Sequence, residues 1–273
     1  MTDPFKYQNA SIFFEDTGTG QPVVLLHGFG EDSHIFDYQV AFLNSHCRLI
    51  VPDLPGSGKS VVSSKLPLEE ISLCSSIEAM ADAIAALIHS ITAEPIILLG
   101  HSMGGYIALA FAEKYPERLK AFGLLHSSAF ADSDEKKATR RKAIGSIAQN
   151  GAFAFLKIAI PALFAEGYKK EYAEEIEKLI KEGENFTKEA LMAYYEAMIN
   201  RPDRTHVLTG CKIPVLFVLG TADKAIPMDD VLKQVHLPDV SYFHVLENVG
   251  HMGMWEATAA FNSFILKFIK DID

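Results

Sequence analysis

Cysteine is scarce in this chain. Three of its 273 residues are cysteines, Cys47, Cys74 and Cys211, scattered and without metal-ligand spacing. So sparse and odd a set excludes a disulfide framework. The three read as small buried hydrophobes in a reducing compartment, which makes a cytoplasmic location the expectation. Basic charge is also in short supply: 25 Lys and Arg stand against 35 Asp and Glu, for a formal net charge of −10. A nucleic-acid binder would carry a basic face, and anionic membranes repel an acidic surface, so neither is an expected partner. No apolar run reaches the ~18 residues of a membrane span. The start, MTDPFKYQNA, lacks both the basic residues and the apolar stretch of a secretory signal. Internal repeats and low-complexity linkers are missing too. What remains, 49% hydrophobic and 22% charged, is the composition of a globule with enough apolar material to offset the entropy of ordering. At roughly 150 residues per domain, the length allows one large domain or two small ones.

Short apolar runs alternate with segments of helical period, the pattern of an α/β fold with a mostly parallel sheet. The runs are Ile12–Glu15, Val23–His27, Arg48–Pro52, Ile96–Gly100, Ala121–Leu125, Val215–Gly220 and Tyr242–Leu246. Several are apolar at consecutive positions, as strands covered on both faces are. Ile77, Met80, Ile84, Leu87, Ile88 and Ile91 form one helical stripe, with Ser75 and Ser76 as candidate caps. Phe261, Phe264, Ile265 and Phe268 give the last helix its inward face. From 128 to 212 no strand pattern occurs, only helical patterns rich in Lys, Glu, Phe and Ala. Residues 1–127 and 213–273 therefore read as one core, interrupted by a helical cap at 128–212.

The central motif is Gly100-His101-Ser102-Met103-Gly104-Gly105, between a strand and a helix running through Ile107, Phe111 and Tyr115. G-x-S-x-G in that setting is a sharp turn that projects a serine hydroxyl at the amino end of a helix. A serine needs a base, and the base needs an acid to orient it. Of ten histidines, His34, His46, His89, His206 and His236 sit on expected helices or surface loops. His251 falls just beyond the last strand, where a base belongs. Asp223 follows the preceding strand, whereas Asp229 and Asp230 come late enough to begin a helix. The order Ser102, Asp223, His251 is that of a nucleophile, an acid and a base. His27-Gly28-Phe29-Gly30 supplies a glycine-rich turn after the Val23 strand. The backbone amides of Phe29 and Met103 are the candidate oxyanion donors.

Taken with Asp53-Leu54-Pro55-Gly56-Ser57-Gly58-Lys59-Ser60 and Gly220…Asp223…Pro227, these motifs resemble the α/β-hydrolase superfamily, specifically its serine esterase and C–C hydrolase branch with a helical cap. The resemblance covers the core and leaves the cap without recognisable motifs. It implies an eight-stranded, mostly parallel sheet flanked by helices, with the cap inserted after the sixth strand. It also implies a Ser-His-Asp mechanism without a cofactor, and a structural Asp53 loop in which Asp53 ties the turn. Serine as nucleophile points away from dehalogenases and epoxide hydrolases, which use aspartate there.

Two decoys fall away. Gly58-Lys59-Ser60 lacks the leading glycine of a P-loop, since Asp53 stands in its place. His27, His101, His126 and His251 show no metal-binding spacing, so no metal is expected. The cap then sets the substrate: Phe153, Ile158, Leu163, Met192 and Tyr195, with Met252 from the core, are the candidate pocket residues. They suggest a small to medium, largely apolar group, with Arg140, Arg141 and Lys142 as a solvated charge cluster. The expected activity is hydrolysis of a carboxylic ester by a monomer or homodimer acting on a small molecule. The same triad could instead cleave a C–C bond, a thioester, a lactone or an amide. A small-molecule receptor with slow turnover is the reading from another class.

Overall fold

The computed structural model describes residues 3–8, 10–62 and 73–272. Ten strands occur among them: β1 (Phe5–Tyr7), β2 (Ala10–Ile12), β3 (Phe14–Thr17), β4 (Pro22–Leu26), β5 (Arg48–Pro52), β6 (Val61–Val62), β7 (Ile96–His101), β8 (Leu119–Leu125), β9 (Val215–Gly220) and β10 (Ser241–Leu246). The core helices before the long helical region are α1 (Asp37–Leu43), α2 (Ile77–Ile91) and α3 (Met103–Lys114). Between β8 and β9 lie α4 (Asp134–Asn150), α5 (Ala152–Leu163), α6 (Glu166–Glu171), α7 (Ala173–Glu182), α8 (Lys188–Asn200) and α9 (Thr205–Leu208). The chain ends with α10 (Met228–Leu232), α11 (Gly253–Glu256) and α12 (Thr258–Ile272). No helix of the described residues is long and apolar enough to cross a membrane.

The main sheet has the order β10-β9-β8-β7-β4-β5-β3. Its strands are parallel except β3, which pairs antiparallel with β5. Among the described residues it therefore holds seven strands, where the family resemblance implies eight. The difference arises at Phe13, which breaks the Ile12–Glu15 run. The Phe13 amide donates to Ser60 Oγ at 2.8 Å, and its carbonyl accepts from the Asp53 amide at 3.0 Å. Residues before the break form β1 and β2, which pair with β6 in a separate small sheet of order β1-β2-β6.

Every residue of β4, β7 and β9 is buried, as strands with helices on both faces must be. Ser76 Oγ accepts from the Ala79 amide and caps α2, which turns Ile77, Met80, Ile84, Leu87 and Ile88 inward. Each such side chain contributes about 1.5–3 kcal/mol by leaving water. On α12, Phe261, Ile265 and Phe268 are buried, while Phe264 is half-buried and stacks on His244 at 3.8 Å.

One contact of the helical region with the core is made by α8. Tyr194 is fully buried; its hydroxyl donates to the Pro55 carbonyl at 2.5 Å and lies 2.8 Å from Ser57 Oγ. The loop it meets is held by Asp53. One carboxylate oxygen accepts from the Ser33 amide at 2.9 Å and the other from the Lys59 amide at 2.8 Å. Asp53 thus ties this turn, and the turn seats the helical region. Because the main strands run parallel, the loops after β4, β7, β8, β9 and β10 emerge at one edge, where open α/β sheets place their ligands.

Candidate functional site

Ser102 stands between β7 and α3 with φ 51° and ψ −114°, a conformation that non-glycine residues rarely adopt. The turn is tight because two glycines let the chain pass itself. A Cβ on Gly100 would lie 2.2 Å from the Gly104 carbonyl oxygen, and one on Gly104 would lie 2.3 Å from that of Leu26. The Ser102 amide donates to the Leu125 carbonyl at 3.0 Å, and Ser127 Oγ donates to the Ser102 carbonyl at 2.7 Å. Both ends of the strained peptide are therefore anchored to the end of β8. Met103 opens α3, so its amide is among those a helix leaves without an i−4 carbonyl. Phe29 follows Gly28, whose amide donates to Glu31 Oε2 at 2.6 Å.

Asp223 is buried beyond β9 with every oxygen in use. Oδ1 accepts from the Ala225 and Ile226 amides at 2.8 and 2.9 Å. Oδ2 accepts from Nδ1 of His251 at 2.8 Å and from Nδ1 of His126 at 3.1 Å. Burial acts to raise the Asp223 pKa, but the charge of His251 and the bonds from both imidazoles outweigh it and hold the carboxyl far below the usual range. His251 is fixed at its backbone as well: its amide donates to the Leu163 carbonyl at 2.7 Å, and its carbonyl accepts from His101 Nε2 at 3.0 Å. His126, Asp223 and His251 have the composition of a metal site. Their geometry is that of a hydrogen-bonded trio, with both Nδ1 atoms spent on one carboxylate oxygen.

Ser102 and His251 line one cavity of about 540 Å³. Its apolar wall comes from Leu156, Ile160 and Leu163 of α5, with Phe29 opposite. Phe29 stacks on Tyr195, ring centroids 4.1 Å apart. Of the pocket residues expected from sequence, Leu163 and Tyr195 line this space; Phe153, Ile158, Met192 and Met252 do not. Helix phase explains most of this. Leu156, Ala159, Ile160 and Leu163 share the inner face of α5, which leaves Ile158 on the outside, 77% exposed. Phe153 sits at the start of α5 beneath the Lys157 ammonium. Met192 packs against the core, and Met252 is fully buried within it.

The profile of the alpha/beta hydrolase family matches residues 23–264. The chain belongs to the alpha/beta hydrolase family. A 2-hydroxy-6-oxononadienedioate/2-hydroxy-6-oxononatrienedioate hydrolase of Burkholderia vietnamiensis is 27% identical, over 95% of this chain and 91% of that protein. Lipase 3 of a Moraxella species is also 27% identical, over 89% of this chain and 75% of its own length. Among solved structures, a thermophilic esterase from Thermogutta terrifontis superposes with a TM-score of 0.87 at 33% identity, covering 96% of this chain and 94% of that one.

Reading the sequence of this alpha/beta hydrolase missed several groups around the site. Glu31 and His101 form a buried pair at 2.9 Å. His101 Nδ1 lies 2.9 Å from Glu31 Oε2, and its Nε2 lies 3.0 Å from the His251 carbonyl oxygen. Burial acts to lower the His101 pKa, but the Glu31 carboxylate outweighs it and the pKa is raised. Glu256 accepts from the amides of Gly250 and Met252, on either side of His251, and from that of Ala165. His101 lies within the Ser102 motif, but Glu31 and Glu256 belong to no local motif; the folded loops alone bring them to their partners.

His126 has a pH signature. Burial pushes its imidazole down to about 4 against bonding to Asp223, and its Nε2 has no hydrogen-bond partner among the described residues. Between pH 6.5 and 4 the unfolded chain takes up a proton at His126 that the folded chain refuses. This component of stability is complete above pH 6.5 and shrinks as pH falls, by at most about 3 kcal/mol at 1.36 kcal/mol per unit. Asparagine tolerates the φ of +50° found at this position. His126→Asn should therefore show a smaller fall in melting temperature from pH 7 to pH 4.5 than the wild type; an equal fall assigns that pH dependence elsewhere.

Proposed function

We propose that this chain is a serine hydrolase that cleaves a carboxylic ester through an acyl-enzyme on Ser102. The observation that carries this reading is one cavity lined by both Ser102, on its strained turn, and His251, whose Nδ1 is held by Asp223. With Nδ1 donating to a carboxylate, Nε2 is the basic nitrogen of His251. It takes the Ser102 proton as Oγ attacks the ester carbonyl. The amides of Phe29 and Met103 receive the developing oxyanion, each donor of this kind lowering the barrier by about 3 kcal/mol. His251 then passes the proton to the departing alkoxide. Water, activated by the same nitrogen, releases the acid and restores Ser102. Helices α4 to α8 act as the cap that shapes the substrate space.

Labelling with a fluorophosphonate tests this reading. Wild type should be labelled and Ser102→Ala should not; unchanged labelling of the variant overturns the assignment. The dienedioate hydrolase relative favours a second reading, in which the same groups cleave a C–C bond. Decay of the absorbance of a 2-hydroxy-6-oxo-dienoate, set against turnover of 4-nitrophenyl esters, distinguishes the two.

A further inference from the structure

The wall of the cavity formed by α4 is unlike the rest. Of the three basic residues at 140–142, Arg141 and Lys142 are exposed, while the Arg140 side chain is only 14% exposed and lines the cavity with Lys136. Arg140 Nε donates to Asp132 Oδ2 at 2.5 Å. The same carboxylate, fully buried, also receives Arg201 Nη2 at 3.0 Å. Arg201 lies 3.7 Å over the ring of Tyr106, a third cavity-lining residue. Among the described residues Lys136 Nζ bonds only to the Ala225 carbonyl, at 2.8 Å. The Asp132 carboxylate therefore serves two guanidinium groups, and among the described residues Lys136 has no carboxylate partner and Nη1 of Arg140 no hydrogen-bond partner.

The other charged groups lining the cavity do not redress the balance. Glu31 is paired with His101, and Asp230 with Lys233 at 3.0 Å. Glu135 is exposed, and Lys224 faces Glu166 at 3.8 Å. Charge withdrawn from water without a counter-charge is costly, and a fold that maintains such an excess beside a cavity is arranged to receive an anion. Tyr106 registers the same field. Burial acts to raise its pKa, yet Arg201, Lys136 and Arg140 together draw it below the usual phenol range.

We infer that Arg140 and Lys136 form a carboxylate-binding subsite, so that the substrate is an ester carrying an acid group at the end remote from the scissile bond. The inference rests on the serine-hydrolase reading for the position of that bond. Leu156, Ile160 and Leu163 cover the carbon chain between the two ends. Arginine suits this task because its planar fork matches a carboxylate, and Lys136 adds a point charge.

The test compares 4-nitrophenyl hydrogen adipate with 4-nitrophenyl hexanoate, which has the same chain length without the acid. A second arm places the acid on the leaving group, comparing the hexanoate of 4-hydroxybenzoate with phenyl hexanoate. Wild type should prefer the acidic ester in one arm by at least about tenfold in kcat/KM, and the preferred arm identifies the side that carries the carboxylate. That preference should fall by about tenfold or more in Arg140→Gln and in Lys136→Gln, and persist in Arg141→Gln. Lys136→Gln leaves the Asp132 pair intact, so a failure of Arg140→Gln to fold does not remove the test. Neutral esters preferred in both arms, or a preference unmoved by either substitution, overturns the subsite. Thermal stabilisation by adipate separates this failure from that of the parent reading. If adipate stabilises wild type but neither variant, and no ester is cleaved, the subsite stands and the hydrolase reading falls.

Discussion

Replacing Ser102 by glycine should lower kcat by about 10⁶ and make the protein more stable. The first effect follows from the proposed acyl-enzyme, which has no oxygen on which to form. The second follows from the backbone. At φ 51° and ψ −114° a side chain is strained by about 1–3 kcal/mol, whereas glycine populates positive φ freely. Glycine also loses more chain entropy on folding, about 0.5–1 kcal/mol. The strain is the larger of the two, which leaves a net gain of about 1 kcal/mol, or roughly 2–4 °C in melting temperature. Single-turnover hydrolysis and calorimetry on the same sample check both halves. Retained turnover would place the nucleophile elsewhere, and a lower melting temperature would show that the turn holds no strain that glycine relieves.

Asp223→Asn should lower kcat by about 10⁴, the scale seen when such a carboxylate becomes an amide. The hydrogen bonds around Asp223 state why. Its Oδ1 accepts two backbone amides, from Ala225 and Ile226. An asparagine has one oxygen, and the turn claims it. The NH₂ group then faces Nδ1 of His251 and of His126, where Oδ2 accepted both. To avoid opposing donors, His251 must leave Nδ1 bare and carry its proton on Nε2, which can no longer take one from Ser102. A buried bonding mismatch of this kind also costs about 1–3 kcal/mol of stability. At acid pH the difference should narrow. The Asp223 carboxyl is held below its usual range, so its contribution is present above the unfolded pKa and is lost as pH falls through the folded one. A pH–rate profile with a fall of tenfold or less would mean that Asp223 does not set the His251 tautomer.

Much of the core was legible before any coordinates. The runs at 48–52 and 215–220 coincide with β5 and β9, because a strand buried on both faces must be continuously apolar. The spacing around Ser102 was legible because only glycine can occupy Gly100 and Gly104 without meeting backbone at little more than 2 Å. Asp223 and His251 stand out in the sequence as candidates by position after strands, and the folded chain brings them to 2.8 Å. The helical region at 128–212 was harder to read. Its apolar residues signal helices, but Leu156 and Ile158 look alike in sequence and differ only in which side of α5 meets the cavity.

The sequence alone determined the α/β architecture, the glycine-bounded turn at Ser102 and the chain order of Ser102, Asp223 and His251, since each depends on local period or spacing. Tertiary structure alone decided the split of the Ile12–Glu15 run and the pairing of Glu31 with His101. It also decided the sharing of Asp132 by Arg140 and Arg201, and the cationic wall that results. Most of those contacts join residues far apart in the chain, Lys136 and Ala225 by 89 positions, where no periodicity operates. A charged side chain reads the same in sequence whether it ends in water or in a cavity; its meaning here comes from burial and from how many partners share one carboxylate.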